Sequence, residues 1–357
     1  MTRVVAIILH AVPGPGAGPL ERSFAETRAR NAAAQVIGFT GEGVETRIVE
    51  THPGGQPFSQ RLRELSRDHE GAGSIVLGSG SIPLATRADR RSFVAAAAGT
   101  APVESRGVLV NNRFSADILA IPPGVDLDRI PDLAADNGVP RWLADQGVPV
   151  HDLRRRWRLQ FDLDSPIDVA LAAGRIRADV QNDVQAIESG ATKRLDDTLA
   201  RVAEVAANPA AELLIAGRTS AATLGWIERH TASRTRALVE ERGMKTAEQG
   251  QRPTRSSLGL LLDRDGPEAL GELLATLSDA AAVDTRVLMA HHFGRDEAGW
   301  PAAEDRFASD LLLHERIVDP WLRALTAAAA GARIPILLGG HTLVGPGLRL
   351  ALGAGRR

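Results

Sequence analysis

The first half of the chain alternates between short apolar runs and longer segments of helical length. Val4–Leu9 and Ser74–Leu77 have the length of buried strands, whereas the segment 21–37 has the length of a helix. Such alternation is typical of a mostly parallel sheet covered by helices on both faces. The other elements predicted in this half are helices at 58–66 and 88–98 and strands at Thr46–Val49, Gly107–Val110, Ile118–Ile121 and Arg158–Leu163.

A long amphipathic pattern follows. Its apolar residues recur every three or four positions, which is the spacing of one helix face; they are Val180, Val184, Ile187, Ala191, Leu195, Leu199, Val202 and Val205. The pattern predicts a helix over residues 175–208 that ends at Asn208-Pro209. We interpret it as a link between a first domain at 1–174 and a second domain at 209–357. A coiled-coil helix of a homodimer is the alternative.

The second half alternates again, which predicts a second α/β domain of ordinary size. Its expected strands are Leu213–Ala216, Thr235–Glu240, Arg286–Ala290 and Ile334–Leu338, and its expected helices begin at Ala221, Pro267, Trp321 and Gly347. The sequence therefore predicts an α/β protein with two domains.

Composition narrows the classes of function. The 357 residues carry a formal net charge of −2 and contain no cysteine. Near-neutral charge provides no overall attraction to nucleic acid or to anionic lipid, so neither is an expected partner. The first apolar run is too short for a signal peptide, and no apolar stretch approaches the ~18 residues of a membrane span. We expect a cytoplasmic protein that acts on a small-molecule substrate.

Three segments in order share a pattern with known enzymes. VLGSGSIPLATRADRRSFV (76–94) carries Ile82-Pro83-Leu84, Thr86 and Asp89, NNRFSADILAIPPG spans 111–124, and FDLDSPIDVALA spans 161–172. Together they resemble MobA-like nucleotidyltransferases, in particular those of the 2-phospho-L-lactate guanylyltransferase type. The resemblance implies a nucleotide-binding fold of the glycosyltransferase-A kind with a mostly parallel sheet. It also implies that a nucleoside triphosphate and Mg²⁺ are used to transfer a nucleoside monophosphate to a small phosphorylated acid, with release of pyrophosphate.

Two charged signatures of that family are absent. The stretch Gly78–Ser81 has no aspartate where the family holds its metal, and Arg22 is the one basic residue of VPGPGAGPLERSF. Phosphoryl transfer depends on metal and on Lys/Arg charges to neutralise the phosphates. The alternative is therefore a catalytically degenerate first domain, nucleotide-binding or purely structural, with the function carried by the second half.

The glycine-rich loop after the first strand is a candidate phosphate cradle. Gly14, Gly16 and Gly18 precede a predicted helix, whose N-terminus favours anions. A tight strand-to-helix turn is the alternative. We expect a nucleotide between this loop and the GSGS stretch, which makes Ser79 and Ser81 candidate binding residues.

Three polar residues are the candidates for catalysis. Asp164 matches the family motif, and Asp162 and Asp164 would share one face of a strand, where they could bind Mg²⁺. Capping of the next helix, which Ser165-Pro166 begins, is the alternative. Asn111 and Asn112 would orient the substrates, or they form an ordinary asparagine-rich turn.

The second half offers weaker candidates. Arg218 and Ser220 of GRTS precede a helix and could bind a phosphate or carboxylate, with a plain helix cap as the alternative. Histidines and carboxylates from His291 to His341 lack the spacing of common metal motifs. The GGHT turn at Gly339–Thr342 follows an apolar strand, where α/β proteins bind ligands.

Overall fold

The computed structural model describes residues 2–52, 56–133, 136–173, 175–176, 189–242, 244 and 252–353. These residues form an α/β protein with two sheets, one of six strands and one of four. Contacts divide them into two compact units. Residues 2–16 and 25–162 form the first unit, whereas 17–24 belong with the second unit, which otherwise begins at Leu163.

The first unit contains a mixed six-stranded sheet in the order β2-β1-β3-β5-β4-β6. Only β5 runs antiparallel to its neighbours, so the expectation of a mostly parallel sheet holds. The strands are β1 Val4–Ala11, β2 Glu45–Thr51, β3 Gly73–Gly78, β4 Val108–Val110, β5 Ile118–Ile121 and β6 Val150–Asp152. The helices are α1 Pro19–Thr40, whose residues up to Phe24 lie in the second unit, α2 Phe58–Asp68, α3 Arg87–Ala97 and α4 Val139–Asp145.

Both faces of this sheet are buried, because helices cover each of them. Ile8 belongs to a core cluster with Phe39 of α1 and Phe93 of α3. Val76 belongs to a second cluster with Leu62 of α2 and with residues of α4. Successive side chains of a strand point to opposite faces, so a strand covered on both sides must be apolar throughout. The continuous apolar run of β1 has this cause.

The second unit contains a parallel four-stranded sheet in the order β10-β9-β7-β8. The strands are β7 Glu212–Gly217, β8 Arg234–Val239, β9 Ala280–Asp284 and β10 Ile336–Gly339. The helices are α5 Pro166–Leu171, α6 Ser189–Ala207, α7 Ala221–His230, α8 Ser257–Asp265, α9 Leu270–Leu277, α10 Thr285–His292, α11 Ala303–Asp310, α12 Pro320–Ala330 and α13 Leu348–Ala351.

The long predicted helix is part of the second unit. Its described portion, α6, packs against β7, β9 and β10, and it buries Leu195, Leu199 and Val202 there. This packing favours the intramolecular interpretation of its apolar face. Val180, Val184 and Ile187 lie outside the described residues. The units divide between Asp162 and Leu163, twelve residues before the predicted boundary, because α5 packs with elements of the second unit.

Two predicted strands are wrong. Trp157–Gln160 is a 3-10 helix, and residues 161–164 continue outside any sheet. The segment predicted as the strand Arg286–Ala290 lies in helix α10, and the true strand is the preceding β9. Three consecutive alanines begin β9, and alanine is a poor indicator of strand because its β propensity is low.

Within the described part of the chain, no helix combines the length and the apolar character needed to cross a membrane.

Candidate functional site

The carboxyl ends of β1 and β3 form the edge at which the sequence places the nucleotide. The two strands are hydrogen-bonded neighbours, and β2 and β5 lie on their outer sides. The connections from β1 and β3 thus leave in opposite directions, which is where open α/β sheets form a ligand crevice. The loop after β3 is joined to the end of β1 here, since Ser79 N–H donates to Leu9 O at 2.8 Å and His10 Nδ1 lies 3.1 Å from Ser79 Oγ.

Helix α1 fixes the loop after β3 through two buried amides. Asn31 Nδ2 donates to Ser79 O at 2.8 Å and to Ser81 O at 3.2 Å, and Gln35 Nε2 donates to Ile82 O at 3.1 Å. Ile82 has φ +45°, an unusual backbone conformation for a β-branched residue. Ser79 and Ser81 are almost fully buried, so their hydroxyl groups are not exposed to a ligand.

Arg28 supplies positive charge at the same edge. Its guanidinium lies about 4.0 Å from the point where a side chain at Gly78 would begin. The pKa of His10 is lowered, first by burial and then by the charge of Arg28, while Glu50 opposes this decrease. Arg28, Asn31 and Gln35 occupy one face of α1 because they are three and four residues apart. Arg28 is not among the residues predicted from the sequence, and this spacing on α1 is the signal that could have identified it.

The first amides of α1 are not free to bind a phosphate, because they donate to a carboxylate. The amides of Leu20 and Glu21 donate to the Glu304 carboxylate at 3.2 and 3.0 Å. Any side chain at Gly18 would collide with Glu304, so this glycine permits that approach. Gly14 and Gly16 lie in the loop after β1, and the space beside Gly16 is open. Of the three predicted glycines, these two belong to the first unit.

Asn111 and Asn112 make hydrogen bonds that hold local structure of the first unit. Asn111 is fully buried, donates to Asp117 Oδ2 at 2.6 Å and to Leu159 O at 2.9 Å, and accepts from Asp117 N–H at 3.0 Å. Asn112 Oδ1 accepts from Phe114 N–H at 3.0 Å, which is an Asx turn. The structure therefore favours the alternative, an asparagine-rich turn.

The motif residues Thr86 and Asp89 also have a structural role. They form a capping box at the start of α3, in which each satisfies a backbone amide of the other. Burial of Asp89 opposes its ionisation, but hydrogen bonds from Thr86 and Arg156 outweigh burial and lower its pKa. Arg156 Nη1 donates to Asp89 at 2.9 Å.

The predicted Mg²⁺ ligands, Asp162 and Asp164, do not lie on a strand. Asp162 and Asp164 fall in different units and outside any strand, so the shared strand face does not exist. Asp164 Oδ2 lies 3.2 Å from His341 Nδ1. No group of three or more His, Asp or Glu side chains that could hold a metal occurs among the described residues.

The carboxylate that caps α5 is Asp168, and Ser165 and Pro166 begin the helix as predicted. Asp168 Oδ2 accepts from the amides of Asp164 and Ser165 at 3.0 and 2.9 Å. Its pKa is raised well above the usual value by burial and by the charges of Asp164 and Asp310.

Buried charged residues also lie in the second unit, at the carboxyl ends of β7, β9 and β10. Arg218 Nε donates to Asp284 Oδ2 at 2.6 Å, and Arg218 Nη2 to Asp284 Oδ1 at 3.0 Å. Burial opposes ionisation of Asp284, but Arg218 outweighs burial and lowers its pKa. Ser220 is the N-cap of α7, and its hydroxyl accepts from Thr223 N–H at 3.1 Å. This is the helix cap that was the alternative interpretation of this residue.

Arg286 and Asp310 form a second buried pair at this edge. Both Nη atoms of Arg286 donate to the two Asp310 oxygens, Nη2 to Oδ2 at 2.6 Å. The pKa of Asp310 is nevertheless raised, because burial outweighs the attraction of Arg286. The sequence indicated neither pair, since Asp284 ends the strand that it failed to predict.

Comparison with known proteins adds no assignment. The chain matches no protein-family model and no curated protein sequence.

Proposed function

We propose that the first unit is a nucleotide-binding domain of the nucleotidyltransferase type, which holds a nucleoside triphosphate at the carboxyl ends of β1 and β3. The observation that carries the proposal is the position of Arg28 and His10 at this edge, beside the loops after the two strands. The mostly parallel sheet supports the glycosyltransferase-A kind of fold that the resemblance implies.

In this proposal the phosphates contact Arg28 and the loop at Gly14 and Gly16. An arginine fork binds phosphate oxygens through several N–H groups at once. The amides of Leu20 and Glu21 are excluded from this role because they bind Glu304. The buried hydrogen bonds of Asn31 and Gln35 keep the loop after β3 in one conformation, which reduces the ordering cost of binding.

The corresponding activity is transfer of a nucleoside monophosphate to a small phosphorylated acid, with release of pyrophosphate. Because the described residues contain no group of three His, Asp or Glu side chains that could hold a metal, we derive no step through Mg²⁺. Pyrophosphate release, measured with a panel of triphosphates and phosphorylated acids, tests the activity separately from binding.

Calorimetric titration of the full chain with GTP, ATP, CTP and UTP tests binding. Arg28→Gln should weaken the affinity roughly ten- to a hundredfold, since a hydrogen bond to a charged group contributes ~1.5–3 kcal/mol. The matched control is Arg47→Gln, because Arg47 is an exposed arginine on β2, and its affinity should equal that of the wild type. Equal affinities for Arg28→Gln and wild type would contradict the placement.

The second candidate function is a degenerate first domain combined with a functional second unit. The observation that favours it is the concentration of buried ion pairs at the carboxyl ends of β7 and β9, together with the lack of a fitting metal centre in the described residues. Perturbed carboxyl groups are frequent at functional sites. Absence of binding by all four triphosphates would favour this candidate.

A further inference from the structure

Arginines are concentrated after two neighbouring strands of the first unit. The segment 111–114 follows β4, and the segment 153–158 follows β6, which is an edge strand of the sheet. β4 and β6 are parallel, and Leu153 N–H donates to Val110 O at 3.0 Å, so the two segments leave the sheet side by side. We call their five arginines the arginine cluster; they are Arg113, Arg154, Arg155, Arg156 and Arg158.

The arginines of the cluster outnumber the carboxylates that pair with them. The pairs are Arg113 and Arg154 with Asp152, at 3.1 and 3.4 Å, and Arg156 and Arg158 with Asp89, at 2.9 and 3.6 Å. The four paired arginines remain between 40% and 56% exposed, whereas the two carboxylates are 10% and 2% exposed. Arg155 is exposed as well. The surface of the cluster is therefore positive, with the negative charges beneath it.

An exposed aromatic side chain lies within the cluster. Phe114 is 53% exposed, and the Arg154 guanidinium lies 5.8 Å from the centre of its ring. Among the large apolar residues that are exposed in the described part of the chain, it is the one aromatic residue. The loop is held in place, because Asn112 Oδ1 accepts from Phe114 N–H at 3.0 Å and Arg113 Nη2 donates to Val150 O at 2.7 Å. Unpaired bases stack on aromatic rings and guanidinium planes arranged in this way.

The arrangement favours nucleic acid over other anionic partners. The net charge of −2 describes the whole chain, whereas phosphates respond to the charge of the surface that they meet. Membrane-binding surfaces combine basic residues with several exposed apolar residues, and the cluster presents one, Phe114. The bases of a duplex remain stacked on each other, so a single strand is the form that can use the ring.

We propose that the arginine cluster and Phe114 bind single-stranded nucleic acid. The guanidinium groups bind successive phosphates of the strand, and the Phe114 ring stacks on an unpaired base. Binding of this kind tolerates every base, because each has a face for stacking. The site lies at the carboxyl ends of β4 and β6 and is independent of the nucleoside triphosphate proposed at β1 and β3.

Fluorescence anisotropy of the full chain tests the proposal, with a labelled uridine oligonucleotide of about twelve nucleotides as the probe. Three to five phosphate contacts predict saturable binding that weakens with salt, with a slope of log K against log salt of about −2 to −3.5. A duplex of the same length should bind at least about tenfold more weakly, because its bases cannot stack on the ring. Poly-glutamate and phosphatidylserine vesicles represent an acidic protein and a membrane, and neither should displace the probe.

The role of the ring is tested by two variants of Phe114. Phe114→Ala should weaken the affinity roughly five- to a hundredfold, as expected for the loss of one stacked base, and Phe114→Trp should retain it. Both should fold, because an exposed side chain contributes little to stability. The matched control is Val103→Ala, since Val103 is another exposed apolar residue of the first unit, and its affinity should equal that of the wild type.

The role of the charges is tested by paired substitutions. Arg154→Gln/Arg155→Gln should weaken binding and make the salt slope less steep by about 1.4. Arg3→Gln/Arg47→Gln removes the same charge from exposed residues outside the cluster and should retain the wild-type slope. Arg28→Gln should also leave the affinity for the oligonucleotide unchanged, which separates this test from that of the triphosphate. No saturable binding, equal affinity for the duplex, displacement by poly-glutamate or vesicles, or unchanged affinity of Phe114→Ala would overturn the proposal.

Discussion

Arg218 and Asp284 join the carboxyl ends of β7 and β9 through a two-point contact, with Nε 2.6 Å from Oδ2 and Nη2 3.0 Å from Oδ1. The side chains are 11% and 0% exposed. Gly217 makes the approach geometrically feasible, since it has φ +124° and any side chain there would collide with Asp284. The pair thus bridges the carboxyl ends of two neighbouring strands of the second sheet.

Removal of one partner should therefore destabilise the second unit strongly. Arg218→Leu is expected to lower the free energy of unfolding by ~3–5 kcal/mol, because it leaves a buried carboxylate without its cation. The double variant Arg218→Leu/Asp284→Leu should lose less than Arg218→Leu alone. Urea unfolding of the three proteins measures this, and additive losses would show that the pair is not coupled.

Asp168 should make stability depend on pH. Its pKa is raised in the folded state, so the folded protein binds a proton that the unfolded chain has released. This contribution is complete below the unfolded pKa of about 3.9 and is lost as the pH rises through the folded pKa. The free energy of unfolding of Asp168→Asn should therefore decrease less steeply with rising pH than that of the wild type, by at most ~1.4 kcal/mol per pH unit.

The matched control for this prediction is Asp197→Asn, since Asp197 is exposed on α6. Urea unfolding at a series of pH values from acidic to alkaline should show that the free energy of unfolding of this control changes with pH as it does in the wild type. An identical slope for Asp168→Asn would mean that Asp168 is ionised in the folded protein.

Asn31 should support both stability and nucleotide binding. Asn31→Ala removes the donor to Ser79 O and Ser81 O, so we expect a loss of ~1–3 kcal/mol and a weaker affinity for triphosphate. Asn112→Ala, which removes only a local turn contact, should cost less than about 1 kcal/mol. Thermal unfolding and calorimetric titration check both variants. Equal effects would show that the amide of Asn31 does not hold the loop.

Asp164 should be dispensable for nucleotidyl transfer. Its carboxylate faces His341 within the second unit, so Asp164→Asn should leave any pyrophosphate release at the wild-type rate. A coupled pyrophosphate assay decides this with the substrate panel described above. Loss of release with retained nucleotide affinity would instead support the metal role that the family resemblance implies.

The sequence predicted the elements whose apolar signal is strong. β5 was predicted with its observed bounds, and β1, β3 and α1 within a few residues. β9 was missed because it begins with three alanines, so its sequence lacks the run of branched or aromatic residues that predicts a strand. Asp284 could not be identified as the partner of Arg218 without that strand.

The site was harder to predict than the fold because polar residues look alike in sequence. Asn111 and Asn31 are both buried asparagines, but only the fold shows which one secures the loop after β3. Glu304 reaches the amides of α1 from a position 284 residues away from Leu20. Long-range contacts of this kind have no local sequence signal.

Hydrogen exchange of the full chain with and without triphosphate tests the central claim most directly. The account predicts slower exchange in 12–16 and 79–86, the loops after β1 and β3, and in the part of α1 around Arg28. Slower exchange confined to the loops after β7, β9 and β10 would contradict it and would place the function in the second unit.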